Sequence, residues 1–153
     1  MGETIEGSGM TTIAYRDGVL VVDGQVTRQT TIIELNGKKS HRADDGSILM
    51  ISGDLMQFQP FIDWYEKRSD VRPSLVSSDG SQSMIVVLRR DGLWEHDHDG
   101  FAICLAPFAA WGSGNDSALI AMYMGASARE AVELAAKFDI YTGGEITEMR
   151  LEP

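Results

Sequence analysis

Residues 11–24 read TTIAYRDGVLVVDG and predict a β-hairpin. β-Branched and aromatic residues fill Thr11–Tyr15, which is typical of a strand. Asp17-Gly18 is a frequent two-residue hairpin turn, and Val19–Val22 then returns as the second strand. A further turn follows at Asp23-Gly24. We therefore expect this part of the chain to form two antiparallel strands.

The rest of the chain combines strand-like runs with three helical segments. We predict a second strand pair at Thr30–Leu35 and Ser47–Ser52. Apolar spacing predicts a helix at Leu55–Lys67 that kinks or starts at Pro60, followed by a polar loop at 69–83. The later elements are strands at Met84–Leu88, Gly92–Trp94 and Phe101–Leu105, helices at Ala118–Met124 and Ala128–Phe138, and a last strand at Ile146–Leu151. Strands paired with their neighbours, with helices grouped between them, indicate an α+β fold.

The composition is that of a globular protein with an acidic surface. Of 153 residues, 43% are hydrophobic and 24% are charged, and the formal net charge is −10. Such a surface repels phosphate backbones, so we expect no nucleic-acid partner. No apolar run reaches the roughly 20 residues that span a bilayer, and no secretion signal is recognised. We therefore expect a cytoplasmic protein without a membrane partner, in agreement with the single cysteine, Cys104.

The first ten residues, MGETIEGSGM, differ from the remainder. They are small and acidic, and they end in Gly-Ser-Gly before Met10. Two interpretations are open: an added segment or upstream start, and a genuine propeptide. The composition favours the first. We expect an N-terminal extension at 1–10 and a single domain at 11–153.

Four short motifs occur in an order that resembles a known enzyme family. They are Thr11-Thr12-Ile13, Asp23-Gly24-Gln25, Gly112-Ser113-Gly114 before a helix, and residues 139–144, which read DIYTGG. Each motif is common by itself, but their order and spacing resemble the proteasome β-subunit and HslV peptidases, which are N-terminal-nucleophile (Ntn) hydrolases. The resemblance runs from Thr11 nearly to the end of the chain. It implies a four-layer αββα sandwich of two antiparallel sheets with helices outside.

The resemblance also implies the residues around the nucleophile. Thr11 corresponds to the nucleophilic threonine, and Asp23 to the acid that pairs with the family's lysine. Lys39 corresponds to that lysine, with Lys38 one position away as the alternative. Gly53 corresponds to the residue whose backbone N–H donates to the oxyanion.

Four further residues match positions around the same site. Ser113, Asp139 and Thr142 correspond to the triplet near the nucleophile's amine, where Thr142 replaces the serine that the family has more often. This replacement keeps the hydroxyl. Ile51 corresponds to a position that shapes the specificity pocket, which implies a restricted apolar pocket.

Two features depart from the family's pattern. Family members carry two long helices between the strand around Met50 and the later strands, whereas here one helix and a loop of about fifteen residues fit. Those helices take part in ring assembly, so the resemblance implies a homo-oligomer but no ring size. The short form resembles the abbreviated proteasome-like proteins of phage and prophage genomes. The second departure is the extension before Thr11.

The implied chemistry depends on a free amine at Thr11. A threonine hydroxyl needs a base to take its proton, and in an Ntn hydrolase this base is the threonine's own α-amine. A free α-amine has a pKa of about 7.7–8.0, and a buried Lys39 ammonium would lower that pKa by repulsion. While Met10 is attached, the Thr11 nitrogen is an amide without basicity. We therefore predict activity only after residues 1–10 have been removed.

The function that the resemblance implies is a threonine-type peptidase acting on peptides or unfolded proteins without a cofactor. Two other functions stay open: a non-catalytic structural or assembly protein with the same fold, and a non-peptide Ntn amidase. An ATP-dependent unfoldase is a possible partner that would deliver substrate. The chain has no phosphate-binding glycine-rich loop of its own, so any use of ATP would belong to that partner.

Residues 95–100 read EHDHDG and contain metal-ligand residue types at close spacing. His96 and His98 would share one face of a strand. A polar hairpin tip is the simpler interpretation of this segment, and we expect no metal there.

Overall fold

The computed structural model describes residues 10–153, so the predicted extension lies outside the described residues except for Met10. The helices are α1 (Phe58–Tyr65), α2 (Asn115–Tyr123) and α3 (Ala128–Phe138), with a 3-10 turn at Leu55–Gln57 before α1. The strands are β1 (Thr12–Arg16), β2 (Val19–Asp23), β3 (Val26–Arg28), β4 (Thr31–Glu34), β5 (Ser40–Arg42), β6 (Ile48–Ser52), β7 (Met84–Arg89), β8 (Gly92–Asp97), β9 (Gly100–Cys104), β10 (Phe108–Gly112) and β11 (Ile146–Arg150).

The predicted hairpin of β1 and β2 is present and forms the centre of a four-stranded sheet. The strand order is β10-β1-β2-β11, and every neighbouring pair is antiparallel. Thr12 pairs with Gly112, and Asp23 pairs with Ile146. One end of the sheet is therefore formed by the start of β1, the end of β2, the end of β10 and the start of β11.

The second large sheet has the order β5-β6-β7-β8-β9 and is antiparallel throughout. The predicted strand at Ser47–Ser52 is present as β6, but its predicted pairing with Thr30–Leu35 is wrong. Strand β4 instead folds back on β3 to make a separate two-stranded unit. Burial explains the difference. All four residues of β4 are exposed, whereas all five of β6 are buried between two partners, β5 and β7.

Three apolar clusters hold these elements together. The first joins the two large sheets and contains Ile13, Leu20, Val22, Trp111, Ile48, Met50, Val86, Leu88 and Leu93. The second packs β1 and β2 against α2 and α3, and the third packs β6 and β7 against α1. Successive residues of β6 alternate between clusters, because Leu49 and Ile51 belong to the third and their neighbours to the first. Each of the two large sheets therefore packs against another layer on both faces.

Local signals explain where the helices begin and end. Pro60 lies in the first turn of α1, where its missing N–H removes no helical hydrogen bond, so the helix starts near this proline rather than kinking at it. Ser127 and Glu130 exchange hydrogen bonds in the capping box that the sequence predicts for α3. Helix α2 ends one residue before Met124, and Gly125 follows with a φ of 106°.

Three strands and part of a fourth differ from the sequence prediction. Strands β3, β5 and β10 are additional, and β8 extends to Asp97, so residues 95–97 are strand rather than hairpin tip. The predicted loop at 69–83 is present, with one isolated bridge between Val76 and Gln82, and it begins earlier than predicted because α1 ends at Tyr65 rather than at Lys67. In the range 10–153, no helix is long and apolar enough to cross a membrane.

Candidate active site

Three side chains meet at one end of the central strands of the four-stranded sheet: those of Thr11, Asp23 and Lys39. Thr11 directly precedes β1, and Asp23 ends β2. Because Ile13 pairs with Val22, the hairpin places Thr11 and Asp23 at the same end of the two strands. Lys39 directly precedes β5 at the edge of the other large sheet. Thr11 is 1% exposed, Asp23 1% and Lys39 4%, so the three side chains meet in the interior.

The three side chains are joined by hydrogen bonds. Lys39 Nζ donates to Thr11 Oγ1 at 2.6 Å and to Asp23 Oδ1 at 3.1 Å. Thr11 Oγ1 in turn donates to Asp23 Oδ1 in a short hydrogen bond. The hydroxyl is therefore held between a cation that donates to its oxygen and a carboxylate that accepts its proton in a hydrogen bond.

Backbone donors complete the environment of Asp23. Thr12 N–H donates to Asp23 Oδ1 at 3.1 Å, and Gly143 N–H donates to Asp23 Oδ2 at 2.9 Å. A buried carboxylate needs such partners, because an unpaired buried charge is strongly unfavourable. The carboxylate thus connects β1, β2 and the turn before β11.

Burial lowers the pKa of Lys39 below its usual value of 10.5, and the nearby Asp23 carboxylate opposes this effect. Lys38, the alternative of the sequence prediction, is exposed, and the hydrogen bonds to Thr11 and Asp23 come from Lys39. The structure therefore brings Lys39, and not Lys38, to the threonine.

A second group of side chains lies beside the backbone of Thr11. Asp139 Oδ2 accepts hydrogen bonds from Ser113 Oγ at 2.5 Å and from Thr142 Oγ1 at 2.6 Å. Ser113 Oγ also lies 3.3 Å from the Thr11 carbonyl oxygen. Thr142 Oγ1 lies 2.7 Å from Thr12 Oγ1, so Thr12 links this group to the first strand. The structure thus brings the three predicted residues of this triplet together.

Gly53 directly follows β6 and has a φ of 133°. It lines an open cleft that Lys39 also lines. A Cβ atom added there would lie 2.3 Å from Ser83 Oγ, so only glycine fits without movement of Ser83. The sequence does not predict the contact of Gly53 with Ser83 or that of Thr12 with Thr142, because each contact joins residues that are distant in the chain.

The cleft has a volume of about 890 Å³ and lies against Lys39. Segments 25–30, 53–56 and 77–79 form much of its wall. Met10 also lies in this cleft, where its sulfur accepts a hydrogen bond from Thr27 Oγ1 at 3.4 Å. The residue attached to the Thr11 nitrogen therefore forms part of the wall of this cleft.

Ile51 is placed differently from the other predicted residues. It is 1% exposed and packs in the third apolar cluster with Phe61 and Ile62 of α1. It is not among the residues that line the cleft. The alternation along β6 turns its side chain toward α1, so the structure does not place Ile51 in the cleft. Leu55 and Met56 supply apolar surface there instead.

The segment 95–100 belongs to the hairpin of β8 and β9. Among the described residues, no group of three or more His, Cys, Asp or Glu side chains is close enough to hold a metal. His96 is buried and packs against the rings of Phe61, Trp64 and Phe101. Glu95 accepts a hydrogen bond from Trp111 Nε1 at 2.6 Å. Both side chains thus have structural partners.

No protein-family model and no curated protein matches the chain, whereas solved structures do. Thiobacillus denitrificans BPH is 22% identical with a TM-score of 0.67, over 94% of this chain and 98% of that chain. Its complex with epoxomicin is 23% identical with a TM-score of 0.67, over 94% and 99% of the two chains. Eukaryotic HslV from Trypanosoma brucei is 16% identical with a TM-score of 0.65, over 94% and 99%.

At these identities the likeness concerns the fold. Antiparallel sheets combined with three described helices match the HslV-like architecture over nearly the full length of each compared chain. The chain therefore has the fold of HslV and of Thiobacillus denitrificans BPH.

Proposed function

We propose that this protein is a threonine-type peptidase of the proteasome/HslV type, with Thr11 as the nucleophile after removal of residues 1–10. One observation carries the proposal: the buried hydroxyl of Thr11 lies between Lys39 Nζ and the Asp23 carboxylate, and Lys39 lines an open cleft. BPH, a protein with a similar fold, has been solved in complex with epoxomicin, which supports a ligand-binding function for the fold.

The proposed reaction starts with a free amine at Thr11. This amine takes the hydroxyl proton while Thr11 Oγ1 attacks the carbonyl carbon of a peptide bond. A charged Lys39 lowers the pKa of the amine by repulsion, and Asp23 orients the lysine. The Gly53 N–H stabilises the negative oxygen that forms on the substrate.

The remaining steps return the site to its starting state. The peptide C–N bond breaks, the Thr11 ammonium gives its proton to the leaving amine, and an ester remains on Thr11 Oγ1. Water then attacks the ester, with the amine again taking a proton. The carboxylic acid product leaves, and the threonine hydroxyl is restored. Ser113, Asp139 and Thr142 hold the backbone around the amine in the required position.

Residues 1–10 keep the proposed enzyme inactive in two ways. The Thr11 nitrogen is an amide while Met10 is attached, so it cannot take a proton from the hydroxyl. Met10 also lines the cleft that the substrate would enter and narrows it. Removal of the extension would supply the base and widen the cleft in one step.

The proposal extends to the architecture and to the partners. The three apolar clusters support a four-layer αββα sandwich in a single domain at 11–153. Peptides or unfolded proteins are the proposed substrates, because an open cleft of about 890 Å³ can take an extended chain. A cytoplasmic homo-oligomer that receives substrate from an ATP-dependent unfoldase would fit this function.

The test compares two forms of the chain. One begins at Thr11 and is released from an N-terminal fusion by a protease, and the other carries residues 1–153. We expect only the first form to hydrolyse fluorogenic peptides and to gain the mass of one epoxomicin molecule. Intact mass of the protein made from its native start would show whether residues 1–10 are removed during production.

The Thr11→Ala variant of the shorter form is the control. A normal reaction in this variant, or turnover by a protein with a blocked Thr11 nitrogen, would reject the mechanism. A folded, Thr11-initiated protein without adduct or turnover would identify a non-catalytic assembly protein. Turnover of small amides but not of peptides would identify an amidase.

A further inference from the structure

Ser83 lies directly against the turn that contains Gly53 and Asp54. Its hydroxyl oxygen accepts a hydrogen bond from Asp54 N–H at 2.9 Å. Its side chain also fills the space beside the Gly53 Cα, because a Cβ atom added at Gly53 would lie 2.3 Å from Ser83 Oγ. One serine thus contacts both residues of this turn.

Ser83 is itself held firmly in place. It is 3% exposed, and its N–H donates to the Leu75 carbonyl oxygen at 2.8 Å. The next residue, Met84, begins β7 and pairs with Ser52, which directly precedes Gly53. The serine therefore directly precedes one strand of a pair, and the turn that it contacts directly follows the other strand.

A second serine of the same loop fixes the other side of the turn. Ser77 Oγ donates to Asp54 Oδ2 at 3.1 Å, while Asp54 Oδ1 accepts the Met56 N–H at 3.0 Å. Asp54 thus has partners at its backbone nitrogen and at both carboxylate oxygens. Together these contacts leave little freedom to the backbone on the C-terminal side of Gly53.

We propose that Ser83 is a positioning residue that holds the Gly53 backbone N–H in place for the developing oxyanion. The inference rests on the proposed peptidase function. Donors to an oxyanion act through fixed geometry, and a displacement of about 1 Å can cost on the order of 100-fold in rate. The loop between α1 and β7 then has a direct task at the site.

The test uses the chain that begins at Thr11 and the variant Ser83→Ala. Loss of the hydroxyl frees the Asp54 N–H and opens space beside Gly53. We expect kcat for a fluorogenic peptide to fall by about 10- to 100-fold, with KM within about twofold of the original value. A peptide aldehyde, which forms an oxyanion when Thr11 adds to it, should lose affinity by a similar factor. A peptide carboxylate product, which forms none, should bind as before.

Ser47→Ala is the matched control. Ser47 is a buried serine at the opposite end of β6, and its hydroxyl accepts a hydrogen bond from Tyr65 at 3.0 Å. Its loss should lower stability without changing kcat or aldehyde affinity. Should Ser83→Ala fail to fold, Ser83→Cys carries the same test, because sulfur fills the space but accepts hydrogen bonds weakly. An intermediate fall in kcat is expected for it.

The outcomes separate the two proposals. An active Thr11-initiated protein in which the folded Ser83 variant keeps its kcat and its aldehyde affinity rejects the positioning role alone. Equal losses of affinity for the aldehyde and for the carboxylate product also reject it, since they indicate general damage to the cleft. A Thr11-initiated protein without any turnover rejects the proposed function, and this inference with it.

Discussion

Lys39 donates a hydrogen bond to the Thr11 hydroxyl at 2.6 Å, although 28 positions separate the two residues in the chain. In the chain that begins at Thr11, Lys39→Ala removes the cation beside both the hydroxyl and the amine. We expect kcat/KM for peptide hydrolysis to fall by about 10³-fold, within the usual range for a group that assists proton transfer. Steady-state kinetics on a fluorogenic peptide measure this change.

Lys38→Ala is the control, because it removes the same charge from the adjacent position, where the side chain is exposed. Its activity should equal that of the parent. Circular dichroism must show that the Lys39 variant is folded, since Asp23 loses its buried partner. Equal activities of the two variants would remove Lys39 from the mechanism.

Thr142→Val tests the second group of side chains. Thr142 is buried, and its hydroxyl contacts Asp139 at 2.6 Å and Thr12 at 2.7 Å. Valine keeps the shape but leaves two polar groups without this partner, which costs about 1–3 kcal/mol of unfolding free energy. Urea unfolding measures the loss, and peptide hydrolysis should fall with it. Thr142→Ser keeps the hydroxyl, so it should retain most of the stability and most of the peptide hydrolysis. A serine variant as impaired as the valine variant would show that the methyl group, and not the hydroxyl, matters.

Gly53→Ala should be strongly destabilising. The added Cβ would lie 2.3 Å from Ser83 Oγ at a φ of 133°, so a clash adds to backbone strain. We expect a loss of about 2–4 kcal/mol, seen as a lower denaturation midpoint. Gly80→Ala is the comparison, since Gly80 has a φ of 87° but open space around its Cβ position. It should lose only about 1 kcal/mol from strain. Similar midpoints for both variants would exclude the contact with Ser83 as the cause.

His96 predicts an acid-dependent loss of stability. Burial, together with repulsion from Arg72 and Arg89, lowers the pKa of His96 from 6.5 to about 4, against an opposing effect of Asp97. Above pH 6.5 the residue is neutral in both the folded and the unfolded chain. As the pH falls from 6.5 toward 4, the unfolded chain takes up a proton that the folded chain does not. The free energy of unfolding should therefore decrease by about 3 kcal/mol across this window.

His96→Phe removes this titration and keeps a ring against Phe61 and Phe101. Urea unfolding of both proteins between pH 4 and 8 gives the difference in stability at each pH. The difference should be constant above pH 7 and should move in favour of the variant below pH 6.5. A constant difference over the whole range would show that His96 does not resist protonation.

Local sequence signals predict the elements that local contacts create. The Asp17-Gly18 turn fixes the first hairpin, and Ser127 with Glu130 fixes the start of α3. Pairing between distant segments is not visible in this way. Strand β4 carries apolar residues that suggest a sheet strand, yet it stays exposed on a separate hairpin. Strand β10 reads FAAWG and lacks alternation, and its place beside β1 depends on partners that are far away in the chain.

The candidate site also depends on contacts between distant segments, which local sequence patterns do not predict. No local pattern selects Lys39 over Lys38; only the family resemblance does, and the structure then places Lys39 beside Thr11. The same resemblance assigns Ile51 to a pocket, whereas the alternation of β6 turns it toward α1. Ser83 escapes sequence reasoning because its importance arises from contact with Gly53, thirty positions earlier.

The hydrogen bond from Gly143 to Asp23 has a consequence for the timing of synthesis. The donor lies 120 positions after the carboxylate. A nascent polypeptide therefore lacks this donor until residue 143 has been synthesised, long after the hairpin of β1 and β2 is available. The Asp23 carboxylate can acquire its full set of partners only when this late segment packs beside β2.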